Sequence, residues 1–68
     1  MFILYDGRAI QGDTEHAAVL SCADTLAEAR LEARHFGFDR VAIYGYDVDD
    51  TTTPPQLTNE RLVEVYTP

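Results

Sequence analysis

The chain has 68 residues, with 12 acidic and five basic side chains and a formal net charge of −7. Hydrophobic residues make up 46% of it, enough for a packed core, so a disordered acidic tail is excluded, and the length allows a single domain, residues 1–68. No apolar run reaches the roughly 18 residues that a membrane helix needs, and so strong a negative charge argues against direct contact with nucleic-acid phosphates.

Phe2-Ile3-Leu4-Tyr5 is a short β-type run that the Asp6-Gly7 turn signal closes. Residues 8–16 read as a loop with room for a short strand at Ala9–Gln11, and Ala17–Cys22 reads as a second strand, with Val19 and Leu20 on opposite faces. A helix is predicted over Leu26–Phe36. Thr25 is its N-cap, Glu28 completes a Thr-x-x-Glu capping box, and Gly37 stops it. Leu26, Ala29, Ala33 and Phe36 form the stripe that packs on a sheet.

Arg40–Tyr46 is a third strand, with Val41, Ile43 and Gly45 on one face and Ala42, Tyr44 and Tyr46 on the other. Residues 47–59, with two prolines and three consecutive threonines, read as a long connection. Leu62–Tyr66 is the last strand, with Val63 and Val65 on one face and Glu60, Leu62, Glu64 and Tyr66 on the other. The expected fold is α+β: a two-layer β-β-α-β-β arrangement in which one helix covers one face of an antiparallel sheet and nothing in the chain covers the other.

The bulk chemistry points away from catalysis. Cys22 is the only cysteine, so no intrachain disulfide forms; its neighbours Val19, Leu20 and Ala23 suggest a buried thiol and a reducing, cytoplasmic setting. Met1–Tyr5 lacks the basic flank and cleavage site of a signal peptide. Asp47-Val48-Asp49-Asp50 resembles the opening of a calcium loop, but the sixth and twelfth positions hold Thr52 and Thr58 where Gly and Glu belong. His16, His35 and Cys22 do not have zinc-ligand spacing. No Gly-x-Ser-x-Gly, Gly-x-Gly-x-x-Gly or phosphate loop is present. No cofactor, metal or enzymatic activity is expected.

Binding is the remaining class. On the helix, Arg30 and Arg34 lie four apart, as do Glu28 and Glu32, a spacing at which like charges repel. The arginines therefore read either as solvated groups that reach acids elsewhere in the fold or as a small basic ridge beside an exposed Leu31. The uncovered sheet face carries Tyr44, Tyr46 and Tyr66 with Glu60 and Glu64, a mixture of amphipathic rings and charge suited to docking. Asp47, Asp49 and Asp50 in one loop, and Asp13 and Glu15 in another, extend the negative surface. Carboxylates spread over a folded surface present a field like that of phosphates, which Arg- and Lys-rich clefts attract. Arginine without lysine, beside eight alanines, also fits a GC-rich genome or a halophile, in which part of the acidity serves solubility.

In size, charge, strand–helix order and the Ala-Asp-Thr-Leu-Ala-Glu-Ala helix start at Ala23–Ala29, the chain resembles the small acidic proteins of phages and mobile elements that include anti-CRISPR inhibitors. The resemblance implies a non-enzymatic inhibitor that occupies a basic surface of a host protein, such as a nuclease or CRISPR surveillance complex. A homodimer formed through the open sheet face is the alternative.

Overall fold

The computed structural model describes residues 1–37 and 39–67. Among them are strands β1 (Phe2–Tyr5), β2 (Val19–Ala23), β3 (Val41–Asp49) and β4 (Gln56–Tyr66), helix α1 (Leu26–Phe36) and a 3-10 segment (Gly7–Gln11). The strands form one antiparallel sheet in the order β2-β1-β3-β4, so the fold is α+β with α1 on one face.

Helix α1 follows its local signals. Thr25 Oγ1 accepts the Glu28 N–H at 3.1 Å, satisfying one of the orphan donors of the first turn. Gly37 ends the helix at φ 67°, in the left-handed region that a side chain disfavours. Ala29 and Ala33 are fully buried and bring the helix onto Leu4, Val41 and Ile43, with Leu26, Phe2, Leu20 and Tyr66 packed around them. Phe36 departs from the expected stripe: it lies in the last turn, half exposed, with its ring edge toward His35.

The second face of the sheet is covered, contrary to the expectation of an open layer. The predicted strand at Ala9–Gln11 is instead the 3-10 segment. Asp6 caps it by accepting the Arg8 N–H at 3.0 Å, and the Ala9 N–H bonds back to the Asp6 carbonyl. Asp6 also accepts the Ala18 N–H, which ties both ends of the intervening loop together and delays β2 until Val19. This folds Ala9, Ile10 and Ala17 over Tyr5, Ala42, Tyr44 and Tyr46, forming a second apolar cluster.

The connection read over residues 47–59 shortens to residues 50–55. Val48 pairs with Leu57 and Asp49 with Gln56, so β3 and β4 extend past the rest of the sheet as a two-stranded ribbon. The Thr53–Pro54 bond in the turn is cis.

Strand β4 also departs from simple alternation. Its register with β3 slips once opposite Ile43/Tyr44 and again opposite Gly45–Asp47. Each slip places an extra β4 residue in the ladder, and a single extra residue exchanges the faces of everything beyond it. Glu64 and Tyr66 therefore share the helix face with Ile43 and Val41, while Val65 and Leu62 share the other face with Ala42 and Tyr44. The predicted grouping of Glu60, Leu62, Glu64 and Tyr66 on one face is broken by the first bulge. The same bulge separates Val63 from Val65, since Val63 reaches over Gly45 on the helix side.

Candidate binding surface

The tyrosines expected on an open face are interior. Tyr5, Tyr44 and Tyr46 are each 5–7% exposed. The Tyr44 hydroxyl donates to the Ala9 carbonyl at 2.7 Å, fastening the 3-10 segment to the sheet, and its ring meets Tyr5 edge-on at 5.5 Å. Tyr46 donates to Glu60 Oε1 at 2.6 Å, so the 2.8 Å contact between the Tyr5 and Tyr46 hydroxyls has Tyr5 as donor. Burial, followed by the bond to Glu60, pushes the Tyr46 phenol far above its usual range; burial does the same to Tyr44 in lesser degree. Tyr66 lies apart from them, half-buried against the helix-side core. Tyr44, Tyr46 and Tyr66 thus contribute packing, and none is a broad exposed contact.

The acids divide into three groups. Glu60 is exposed on β4, but its Oε1 is held by Tyr46 and by the Thr14 hydroxyl at 3.1 Å. The Thr14 bond brings the loop bearing Asp13 and Glu15 up to the edge strand. Within that loop, Asp13 accepts the His16 backbone N–H and ring Nδ1–H, which hold its carboxyl below the usual carboxylate value. Both Asp13 and Glu15 remain exposed.

Asp49 and Asp50 sit at the tip of the β3–β4 ribbon. The Thr51 hydroxyl and N–H both donate to Asp49 Oδ1, lowering its pKa. Asp47, further down the ribbon, accepts from Asn59 Nδ2 at 3.0 Å and pairs with Arg61 at 3.6 Å. Glu64 lies on the opposite face from Glu60 and is taken by α1. Arg30 donates to its two oxygens at 2.9 and 2.7 Å, which lowers the Glu64 carboxyl and raises the guanidinium.

The basic ridge is thereby halved, since Arg30 reaches an acid of its own fold. Arg34 remains exposed beside Leu31, Glu32 and His35, which line a shallow, open groove. Cys22, expected to be buried, is exposed. It belongs to edge strand β2 and faces away from the helix, paired with Ile3. Among the described residues no three His, Cys, Asp or Glu side chains are grouped to hold a metal ion, and no helix is long and apolar enough to cross a membrane.

The sequence pattern missed the apolar surface that is exposed. Val48 and Leu57 on the β3–β4 ribbon, and Leu62 and Val65 further along β4, lie on the backbone face that carries Ala42 and Tyr44 and are 36–54% exposed. The 3-10 segment covers β1 and β3 but leaves this margin open. One bulge of β4 brings Leu62 and Val65 to the same side and the other adds Leu57, which is why alternation counted along the strand does not find them. No family model, curated protein or solved structure matches the chain.

Proposed function

We propose that this chain is a non-enzymatic acidic binding protein that occupies a basic, nucleic-acid-binding surface of a host defence complex, in the manner of an anti-CRISPR inhibitor. The observation that carries this reading is the anchoring of Glu60 by Tyr46 and Thr14, which gathers Glu60, Asp13 and Glu15 at one edge of the sheet. A carboxylate fixed by a buried phenol loses little side-chain freedom when a partner guanidinium or ammonium meets it.

The arginines add to the argument. Arg30 and Arg61 are paired with Glu64 and Asp47, and Arg8 donates to the His16 carbonyl, so intramolecular contacts occupy much of the positive charge. What remains outward is negative, with a second cluster at Asp49 and Asp50. Such a field steers a basic cleft at long range and weakens with salt.

Affinity capture from a host lysate tests this directly. The expected catch is a nucleic-acid-binding protein that duplex DNA displaces and raised salt releases, and that binds more weakly to an Asp49→Arg/Asp50→Arg/Glu60→Arg variant. A partner that stays bound through DNA and salt alike, or that ignores the charge reversal, overturns the proposal.

A further inference from the structure

We infer that the Val48–Leu57–Leu62–Val65 stripe is the seat of a protein partner that presents apolar side chains flanked by lysine or arginine. The inference rests on the acidic-binder reading and names where the buried contact of that interaction lies. Charge alone steers association, whereas durable complexes need a desolvated apolar centre with a polar rim. The sheet face beside Glu60 supplies exposed apolar side chains for such a centre. Val48 and Leu57 face each other near the hairpin end, Leu62 and Val65 lie opposite Tyr44 and Ala42 further along the same face, Tyr46 and Glu60 stand between the two pairs, and the four apolar side chains are 36–54% exposed.

Charge complementarity selects the occupant. Glu60 projects from the same strand between Leu57 and Leu62, bonded to Tyr46 of that face, and Asp49 and Asp50 close the ribbon end. Arg61 is drawn to the helix side, where its guanidinium lies over Gly45 and pairs with Asp47. The rim of the stripe is therefore acidic. A second copy of the chain would bring like charges together around the same contact, whereas a basic partner neutralises them.

The partner lies on the face of β4 and does not extend the sheet. Strand β4 is an edge strand, but it carries two bulges in its pairing with β3 and a residue of positive φ, Asn59 at 56°. Bulges and charged side chains are the usual protection of an edge against strand addition.

Two synthetic probes test the assignment on the intact chain: an amphipathic Leu/Lys peptide and an oligolysine of equal charge. Binding is followed by titration and by methyl NMR. The Leu/Lys peptide is expected to bind at least about tenfold tighter than oligolysine and to shift the Val48, Leu57, Leu62 and Val65 methyl signals. Leu57→Ser/Leu62→Ser should remove that advantage while leaving oligolysine binding unchanged. The replaced side chains are exposed, and circular dichroism verifies that the variant folds. Equal affinity for the two peptides, or methyl shifts confined to another surface, overturns the stripe while the charge-based reading stands. Loss of oligolysine binding on charge reversal is the separate readout of that reading. Light scattering supplies the remaining outcome: a wild-type dimer that Leu62→Ser dissociates would make the occupant a second copy and overturn the inference.

Discussion

The Arg30 guanidinium grips the Glu64 carboxylate through two hydrogen bonds, 2.9 and 2.7 Å long, and so ties α1 to the edge strand across 34 residues of sequence. The bond holds Glu64 below its ordinary pKa of 4.5. A carboxyl with a depressed folded value binds protons more readily in the unfolded chain. Its stabilisation is therefore present above about pH 4.5 and is lost as the pH falls through the folded value. Asp6, Asp13 and Asp49 are lowered from 3.8 by their own hydrogen bonds and act in the same direction. Glu64→Gln should lower the midpoint of thermal unfolding slightly at neutral pH, since both partners are partly exposed and solvent screens the pair. The deficit relative to the wild type should shrink as the pH is lowered past 4. A deficit that stays constant from pH 7 to pH 3 would show that the charge on Glu64 contributes nothing.

Tyr46 is the junction of a buried hydroxyl chain: it accepts from Tyr5 and donates to Glu60. Tyr46→Phe leaves the Tyr5 hydroxyl buried without its acceptor and should destabilise the fold by about 1–3 kcal/mol. Tyr5→Phe/Tyr46→Phe should cost less than the sum of the single changes, because the second replacement removes the orphaned donor. Alkaline pH probes the same chain. The folded value of Tyr46 is raised, so its stabilisation is present below the unfolded value near 10 and disappears as the phenol is forced to ionise. Absorbance at the phenolate band should show Tyr44 and Tyr46 resisting ionisation until the protein unfolds. Early titration of Tyr44 and Tyr46 would contradict the buried network.

Helix α1 was legible because its determinants are local. Thr25, Glu28 and Gly37 act within one turn of the ends they define, and Ala29 and Ala33 mark the face that meets the sheet. The tyrosine face was misread for lack of a cover, yet the cover lay in the same sequence. Ala9 and Ile10 are an apolar pair inside a polar loop, and Asp6 is a capping residue placed to start a helical turn. What sequence alone could not show is that this turn closes over the rings. Strand β4 was misread for another reason: its faces depend on which β3 residues it pairs with, a tertiary fact. Asn59 is the one local signal, since asparagine tolerates positive φ better than most residues. The acidic clusters were visible as composition, but their division between Glu60 on one face and Glu64 on the other follows from the bulge between them.

Gly45 supplies the space in which that bulge is built. A Cβ added there would lie 2.9 Å from Val63 Cγ2 and 3.3 Å from the Arg61 guanidinium. Val63 is the residue displaced by the register slip, and Arg61 crosses Gly45 to reach Asp47 and the Asn59 carbonyl. Gly45→Ala should therefore cost about 1 kcal/mol through forced movement of Val63, outweighing the gain from a stiffer unfolded chain. Val63→Ala removes the obstructing methyl. In that background Gly45→Ala should cost markedly less, since the remaining close neighbour is the far end of the flexible Arg61 side chain, which can swing aside by a few tenths of an ångström. Urea unfolding of the four chains in this cycle measures the coupling. Equal costs of Gly45→Ala in both backgrounds would mean that Val63 does not set the requirement for glycine.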